Sequence, residues 1–381
     1  MSLTTGTPTA SELREQMQAR VPQMVEQLGE FVNLESPSLD VEHLQVSAKY
    51  LAGLFEKVTG RRAEIIHGES GPHVHWKGGD NTKVLIVGHH DTVFPLGTTA
   101  TRPFSIDGDI ARGPGIFDMK AGIVQAIHGL SAISDSSQVE MLITADEEVG
   151  SYTSRELIES RARATGAVLV LEPSADGGAL KIARKGVGTF TVHIGGRASH
   201  AGLEPEKGIN ALVELAAQVQ CIVAMARPEL GTTVTPTVAT AGNSENVVPD
   251  AAMIKVDVRV VLPEEKERIE LELSQLKPTV SGATIKVTGS VNRPPMHESA
   301  GRALFGVAEV VAKDLGIKNL QGVAVGGGSD GNFTAAIGIP TLDGMGAVGG
   351  GAHAITEHVL ISTMGERAAL VAGVARALVN R

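Results

Sequence analysis

"VLIVGHHDTVFP", residues 84 to 95, places two histidines and an aspartate directly after the apolar run Val84, Leu85, Ile86 and Val87. An apolar run of this length ending in a polar cluster reads as a strand buried on both faces, the kind found in mainly parallel sheets. Side chains alternate along a strand, so His89 and Asp91 share one side and His90 takes the other. That arrangement lets Asp91 hydrogen-bond one ring nitrogen of His89 and leave the second for a metal. A solvated strand end explains the stretch equally well on its own, so the reading turns on what ends the neighbouring strands.

Working outward, apolar spacing over 11–33 predicts a helix closed by the turn "ESPS" at 35–38. Next come strand 83–89, helix 119–133, strand 139–145, helix 152–162 and strand 167–171. This alternation predicts an α/β fold whose mainly parallel sheet is covered on both faces and gathers functional groups beyond the carboxyl ends of its strands. From about residue 186 the period changes to two, with Phe190, Val192 and Ile194 on one face. A helix over 209–225, strands over 232–240 and 252–261, the helix "PEEKERIELELSQLK" and a strand over 283–289 complete a β-α-β-β-α-β unit of ferredoxin-like type. Helix and strand alternation resumes after Pro294-Pro295. The expected organisation is therefore one domain from 1–185 and 294–381, interrupted by an α+β domain over 186–293.

Composition narrows the partners. A length of 381 residues suggests about two or three domains. The balance of 33 basic against 43 acidic residues, net charge −10, repels nucleic acid and anionic membranes. The N-terminal "MSLTTGTPTASELREQ" has no signal-peptide pattern, and no later segment approaches the ~20 apolar residues of a membrane span. The lone Cys221 rules out an internal disulfide and reads as core packing in a helix, so a cytoplasmic location is expected.

The other strand ends also carry donors. Asp118 follows "GPGIF", "DEE" at 146–148 follows "VEMLIT", Glu172 follows "AVLVL", and His353 lies in "GAVGGGAHA". Each has an ordinary reading alone: a helix cap, surface charge or a loop-tip residue. Together they put carboxylates and imidazoles at one edge of one sheet. A mixed nitrogen and oxygen set suits zinc, and also cobalt or manganese. With one bridging carboxylate the set can hold two ions, which activate a water and polarise an amide oxygen. Of the adjacent Glu147 and Glu148, one can bind metal while the other takes the water's proton and returns it to the leaving amine.

The chain resembles the co-catalytic zinc exopeptidases and deacylases that include glutamate carboxypeptidase, acetylornithine deacetylase and succinyl-diaminopimelate desuccinylase. The resemblance runs in order through "GHHDTV", "GPGIFDMKAG", "TADEEVGS", "LEPS", "GGRASHAG", "NVVPD", "VDVR", "GGGSD" and "GGGAHA". It implies that His89 and Glu172 bind one metal, that Glu148 and His353 bind the other, and that Asp118 bridges them. It also implies that Asp91 orients His89, that Glu147 is the general base and acid, and that the Asp118–Met119 peptide is cis. The inserted domain becomes a lid and dimerisation domain, with His200 reaching the partner subunit's active site in a homodimer to stabilise the oxyanion. Asn246, Arg259, Arg293 and the glycine run containing Gly327 and Gly328 line the substrate pocket, Arg259 gripping a substrate carboxylate. Lys120, Arg184 and Lys185 read as structural or rim charges.

The activity implied is release of a C-terminal amino acid, glutamate by the branch details "GPGI", "DEEVGS" and "LEPS", from an N-acyl or peptide amide. The alternative is an N-acyl-amino-acid deacylase or dipeptidase with the same mechanism. A nucleotide-binding oxidoreductase, suggested by Gly113-Pro-Gly115, fails because Asp118 stands where the fingerprint needs its third glycine. A non-catalytic metal scaffold is disfavoured by the intact Glu147.

Overall fold

The computed structural model describes residues 8–380, and these divide into two compact units. The first takes the chain up to Ala183, then Glu298–Val325 and everything from Ser329 onward. At its centre is a six-stranded sheet in the order Glu64–Gly68, Gly71–Lys77, Val139–Thr144, Val84–His89, Val168–Val170, Thr341–Leu342. The Val84–His89 strand pairs in parallel with both neighbours, Val139–Thr144 and Val168–Val170, and Thr341–Leu342 adds a further parallel ladder. Every residue of Val84–His89 and of Val139–Thr144 is buried, which is why their sequences run apolar without alternation. His89 sits opposite Thr144, so the two strands end level and release their loops at the same edge.

Three local details depart from the sequence reading. The antiparallel hairpin Glu64–Gly68 and Gly71–Lys77 was not expected; its interspersed histidines and glycines hide the strand pattern, although His73, His75 and Trp76 are buried and Trp76 stacks on Phe55. The expected helix over 11–33 is two helices, Ala10–Ala19 and Val21–Val32, meeting at Arg20 with Pro22 in the first turn of the second. Proline has no N–H to continue the first helix but suits the start of the second. The helix expected from 119 begins at Ala121, because Asp118 and Met119 leave helical angles in the preceding turn. All ten residues of Ala121–Leu130 are buried, so this helix is a core layer of the unit. Among the described residues, no helix is long and apolar enough to cross a membrane.

The second unit comprises Arg184–His297 and Gly326–Gly328. Its antiparallel sheet runs in the order Thr233–Ala241, Ala251–Val260, Gly186–Gly195, Thr284–Arg293, with helices Ala211–Val223 and Pro263–Ser274. Phe190, Val192 and Ile194 are buried and pack with Ile254, Val256, Ile222 and Ile269, as the period-two pattern requires. Cys221 corrects the sequence reading. It lies on the outer face of its helix and is exposed, because the buried face is drawn by Ala211, Glu214, Leu215, Gln218 and Ile222.

A buried charge cluster gives the first unit a pH-dependent element. Glu140, fully buried on Val139–Thr144, receives Nε and Nη2 of Arg161 at 2.8 and 2.6 Å and the Thr82 hydroxyl at 3.0 Å, with His75 Nε2 at 3.6 Å. Burial alone would raise its pKa, but the nearby His75 ring and the Arg161 guanidinium outweigh it and hold the carboxyl down at about 2. Because the folded value lies below the ordinary 4.5, the contribution is complete above that pH and is lost as pH falls toward 2. Glu140→Gln is expected to cost about 3 kcal/mol at neutral pH. Chemical denaturation of both proteins across this range checks it, the gap closing as the medium is acidified.

Candidate metal centre

The parallel ladders put the ends of three strands side by side. His89 is the last residue of its strand; Glu147 and Glu148 follow the neighbour on one side, and Glu172 follows the neighbour on the other. Asp118 stands in the turn before Ala121–Leu130, and its bond to Met119 is cis. His353 comes from the glycine loop near the end of the chain, in the left-handed conformation.

Asp118 is the meeting point. Its Oδ1 lies 3.1 Å from His89 Nε2 and its Oδ2 lies 3.3 Å from His353 Nε2, so one carboxylate faces two imidazoles with different oxygens. His89 Nε2 is also 3.7 Å from Glu172 Oε1, and His353 Nε2 is 3.2 Å from Glu148 Oε2. Donor atoms of His89, Asp118 and Glu148 fall within 4.8 Å of one another, as do those of His89, Glu147 and Glu172.

The surroundings hold these groups in place. Asp91 is fully buried; its two oxygens accept from the backbone N–H groups of Glu147 at 3.1 Å and Glu148 at 3.2 Å, and Oδ2 also accepts from Ser38 at 2.8 Å. Its link to His89 differs from the simple carboxylate contact expected. His89 Nδ1 is 3.0 Å from the Asp91 carbonyl and 3.5 Å from its carboxylate. Either contact leaves Nε2 directed at Asp118 and Glu172. Asp146 accepts from Thr153 and Ser154 and so shapes the turn that carries both glutamates. Gly346 packs against the Glu172 segment, where a Cβ would come within 2.2 Å of the Leu171 carbonyl oxygen.

These donors suit a divalent cation. Carboxylates outnumber local cations, and buried Glu148 Oε1 has no hydrogen-bond partner in the protein. Hydrogen bonds to Asp118 and Glu148 drive His353 up to about 10. For His89, burial opposes protonation but the bonds to Asp118 and Asp91 prevail, raising it well above its ordinary value. A cluster that pulls protons onto its histidines this strongly is short of positive charge, and imidazole with carboxylate oxygen is a donor mixture that zinc and its neighbours accept.

In the second unit, His200 is exposed and its Nδ1 accepts from the N–H groups of Gly202 and Leu203 at 3.1 and 3.2 Å, which places the ring proton on Nε2. Asn246 is exposed and takes a hydrogen bond from Ser244. The guanidinium of Arg259 pairs with Asp257 through Nε and Nη2, both at 2.9 Å. Arg184 is buried and donates to the carbonyls of Gly327 and Gly328, while the Arg293 side chain lies against Gly328. Lys120 is buried in the first unit and donates to the carbonyls of Phe31 and Leu34, and Lys185 donates to Gly231.

Sequence reading passed over Glu357, which accepts three backbone N–H groups from the Asp118 turn. Its position four residues after His353 was the one signal available.

Residues 85–377 match peptidase family M20/M25/M40. Carboxypeptidase G2 of Pseudomonas sp. (strain RS-16) is 31% identical over 362 residues, covering 91% of this chain and 87% of that protein. Among solved structures, an M20 family metallo-carboxypeptidase from Sulfolobus solfataricus superposes with a TM-score of 0.75 at 18% identity, covering 93% of this chain and 99% of that one. The di-peptidase Dug1p from Saccharomyces cerevisiae gives 0.73 at 15% identity, covering 99% and 100%. At these identities the two structures share the fold with this chain. With the family match and the Carboxypeptidase G2 similarity each spanning most of the sequence, the chain belongs to peptidase family M20/M25/M40 and is a metallopeptidase, an enzyme that hydrolyses peptide bonds.

Proposed function

We propose that this metallopeptidase is a dinuclear zinc carboxypeptidase that releases a C-terminal amino acid, glutamate foremost, from an N-acyl or peptide amide. The observation that carries the reading is the Asp118 carboxylate set between His89 and His353 with a different oxygen toward each. His89 and Glu172 would hold one ion, Glu148 and His353 the other, and Asp118 both, with zinc preferred and cobalt or manganese able to substitute. When bound, the two ions supply Lewis acidity to the scissile carbonyl and lower the pKa of water.

The remaining work falls to side chains. Glu147, buried beside His89 and Glu172, accepts the proton of the attacking water and delivers it to the leaving nitrogen. Asp91 keeps Glu147 in place through the backbone N–H that it accepts. His200, with its proton on Nε2, is the donor to the developing oxyanion, supplied by the partner subunit of a homodimer. Asn246, Arg259, Arg293, Gly327 and Gly328 are assigned to the substrate's carboxylate end, and 31% identity with a carboxypeptidase supports that direction of cleavage. Zinc-restored release of glutamate from pteroylglutamate by chelator-stripped enzyme tests the reading, with N-acetyl amino acids and simple dipeptides assayed beside it.

One observation favours a second reading, an N-acyl-amino-acid deacylase or dipeptidase with the same mechanism. Two donors of Arg259 are engaged by Asp257, which leaves less of that fork for a second, side-chain carboxylate beyond the terminal one that every candidate substrate carries. Arg293 separates the readings. In a glutamate enzyme, Arg293→Ala is expected to raise KM for C-terminal glutamate by about tenfold or more, the weight of one charged hydrogen bond, and to leave neutral residues unchanged. Steady-state kinetics on paired glutamate and alanine substrates measure this; an equal effect on both favours the second reading.

A further inference from the structure

The two chain segments that carry Asp118 and His353 are separated by more than half of the sequence, yet one buried side chain joins them. Glu357 is 1% exposed and lies in the same loop as His353, where its own N–H donates to the Ala354 carbonyl. Its Oε2 accepts from Gly115 N–H at 2.9 Å. Its Oε1 accepts from Phe117 N–H at 2.9 Å and Asp118 N–H at 3.0 Å. One carboxylate therefore collects three backbone donors from a single turn, the turn in which Gly115 takes a positive φ of 71° and Asp118 and Met119 leave helical angles. Buried N–H groups need an acceptor, because leaving one unpaired forfeits its hydration with nothing in return. The acceptor that satisfies them belongs to the His353 loop.

This places Glu357 differently from the other buried carboxylates of the first unit. Glu140 is satisfied by side chains of Arg161 and Thr82, and Asp91 spans its own strand end and the Glu147–Glu148 turn. Glu357 alone among these three connects the Asp118 turn to the His353 loop. The position of His353 Nε2 relative to Asp118 Oδ2, 3.3 Å, depends on the relation between those two segments. Two other links reach this neighbourhood, Arg102 Nη1 to the Ala354 carbonyl at 3.0 Å and the antiparallel ladder of His358–Leu360 with Ile110–Arg112, but the acceptor of the Gly115, Phe117 and Asp118 N–H groups is Glu357.

We propose that Glu357 is a positioning residue for the metal centre: by tying the Gly115–Asp118 turn to the His353 loop, it sets the spacing of the Asp118 and His353 donors. The inference rests on the metal-site reading given above. It assigns Glu357 no contact with substrate or with the ions. Its effect is largest on the half of the centre that contains His353, where both Asp118 and His353 depend on it, and smaller on the half of His89 and Glu172, which shares only Asp118.

Cobalt(II) titration of chelator-stripped protein, followed by calorimetry and by the visible absorption of bound cobalt, reads the two halves without an activity assay. In Glu357→Gln the side chain keeps its length, but an amide NH₂ replaces one acceptor and faces a backbone N–H. The expected result is one binding event weakened about 10–100-fold, the usual cost of removing an outer partner of a metal ligand, and a second, which shares only Asp118 with it, weakened less. Glu357→Asp, which keeps the charge and shortens the reach by one methylene, is expected to show the same unequal loss and covers the case in which the Gln variant fails to fold. Glu140→Gln, a comparable loss of a buried carboxylate in the same unit, is expected to lower stability and leave both events unchanged. A folded Glu357→Gln protein with the wild-type isotherm overturns the inference, as does an equal loss of cobalt affinity in Glu140→Gln. Wild-type protein that takes up no cobalt removes the metal centre and this inference together, which distinguishes that failure from the other two.

Discussion

Glu147→Gln is expected to lower kcat by about 10²–10⁴-fold while the enzyme keeps its metal content and its KM. Gln is nearly isosteric and retains an oxygen, but it cannot accept a proton from water and return it to a leaving amine. The backbone N–H of residue 147 still meets Asp91 in the variant, so the turn that carries Glu148 keeps its place. Turnover of the best substrate and metal content by elemental analysis measure the two consequences separately. The alternative outcome has a structural basis, because Glu147 also offers an oxygen within 4.8 Å of donors from His89 and Glu172. Loss of an ion in Glu147→Gln would make Glu147 a ligand and move the proton-transfer role elsewhere.

Asp118→Ala carries the second large effect. This carboxylate is within 3.3 Å of both ring nitrogens, and the hydrogen bonds from His353 and His89 hold its own pKa below the usual range despite its burial. Its removal takes one donor from each half of the proposed centre at once. Metal content is expected to fall from two ions to one or none, with affinity reduced beyond the about 10–100-fold cost of losing an outer partner. His353→Ala, by contrast, takes a donor from one half and is expected to leave one tight ion. Parallel metal analysis of the two variants after dialysis checks the contrast; equal losses would argue against the shared role of Asp118.

Much of this was legible from local pattern. The buried run at 84–87 and the alternation at 189–194 report the two kinds of sheet, because a strand covered on both faces and a strand covered on one face demand different periods. The hairpin over 64–77 was hidden because its buried positions are filled partly by histidine and glycine, and no periodicity reveals that His73 and His75 sit inside. Cys221 misled for a related reason. An apolar helix with a mean preference for burial still has an outer face, and which residues occupy it is decided by the sheet it packs on.

The sequence by itself, through local pattern, determined the main parallel strands, the inserted antiparallel unit and the chemistry of the donors, since hydrophobic period and the side-chain groups of His89, Asp118, Glu148, Glu172 and His353 are properties of the chain, while the 64–77 hairpin escaped that pattern. It could name Asp118 as a bridge only through resemblance. Tertiary structure decided which atoms meet. Three parallel strands bring residues 89, 147–148 and 172 to one edge, a turn supplies Asp118, and a loop from the far end of the chain supplies His353. It also decided that Arg259 pairs with Asp257 and that Glu357 serves the Asp118 turn. The reason is physical: hydrogen bonds and ion pairs act over a few ångströms, so their partners are chosen by the packing that brings distant segments together and not by distance along the chain.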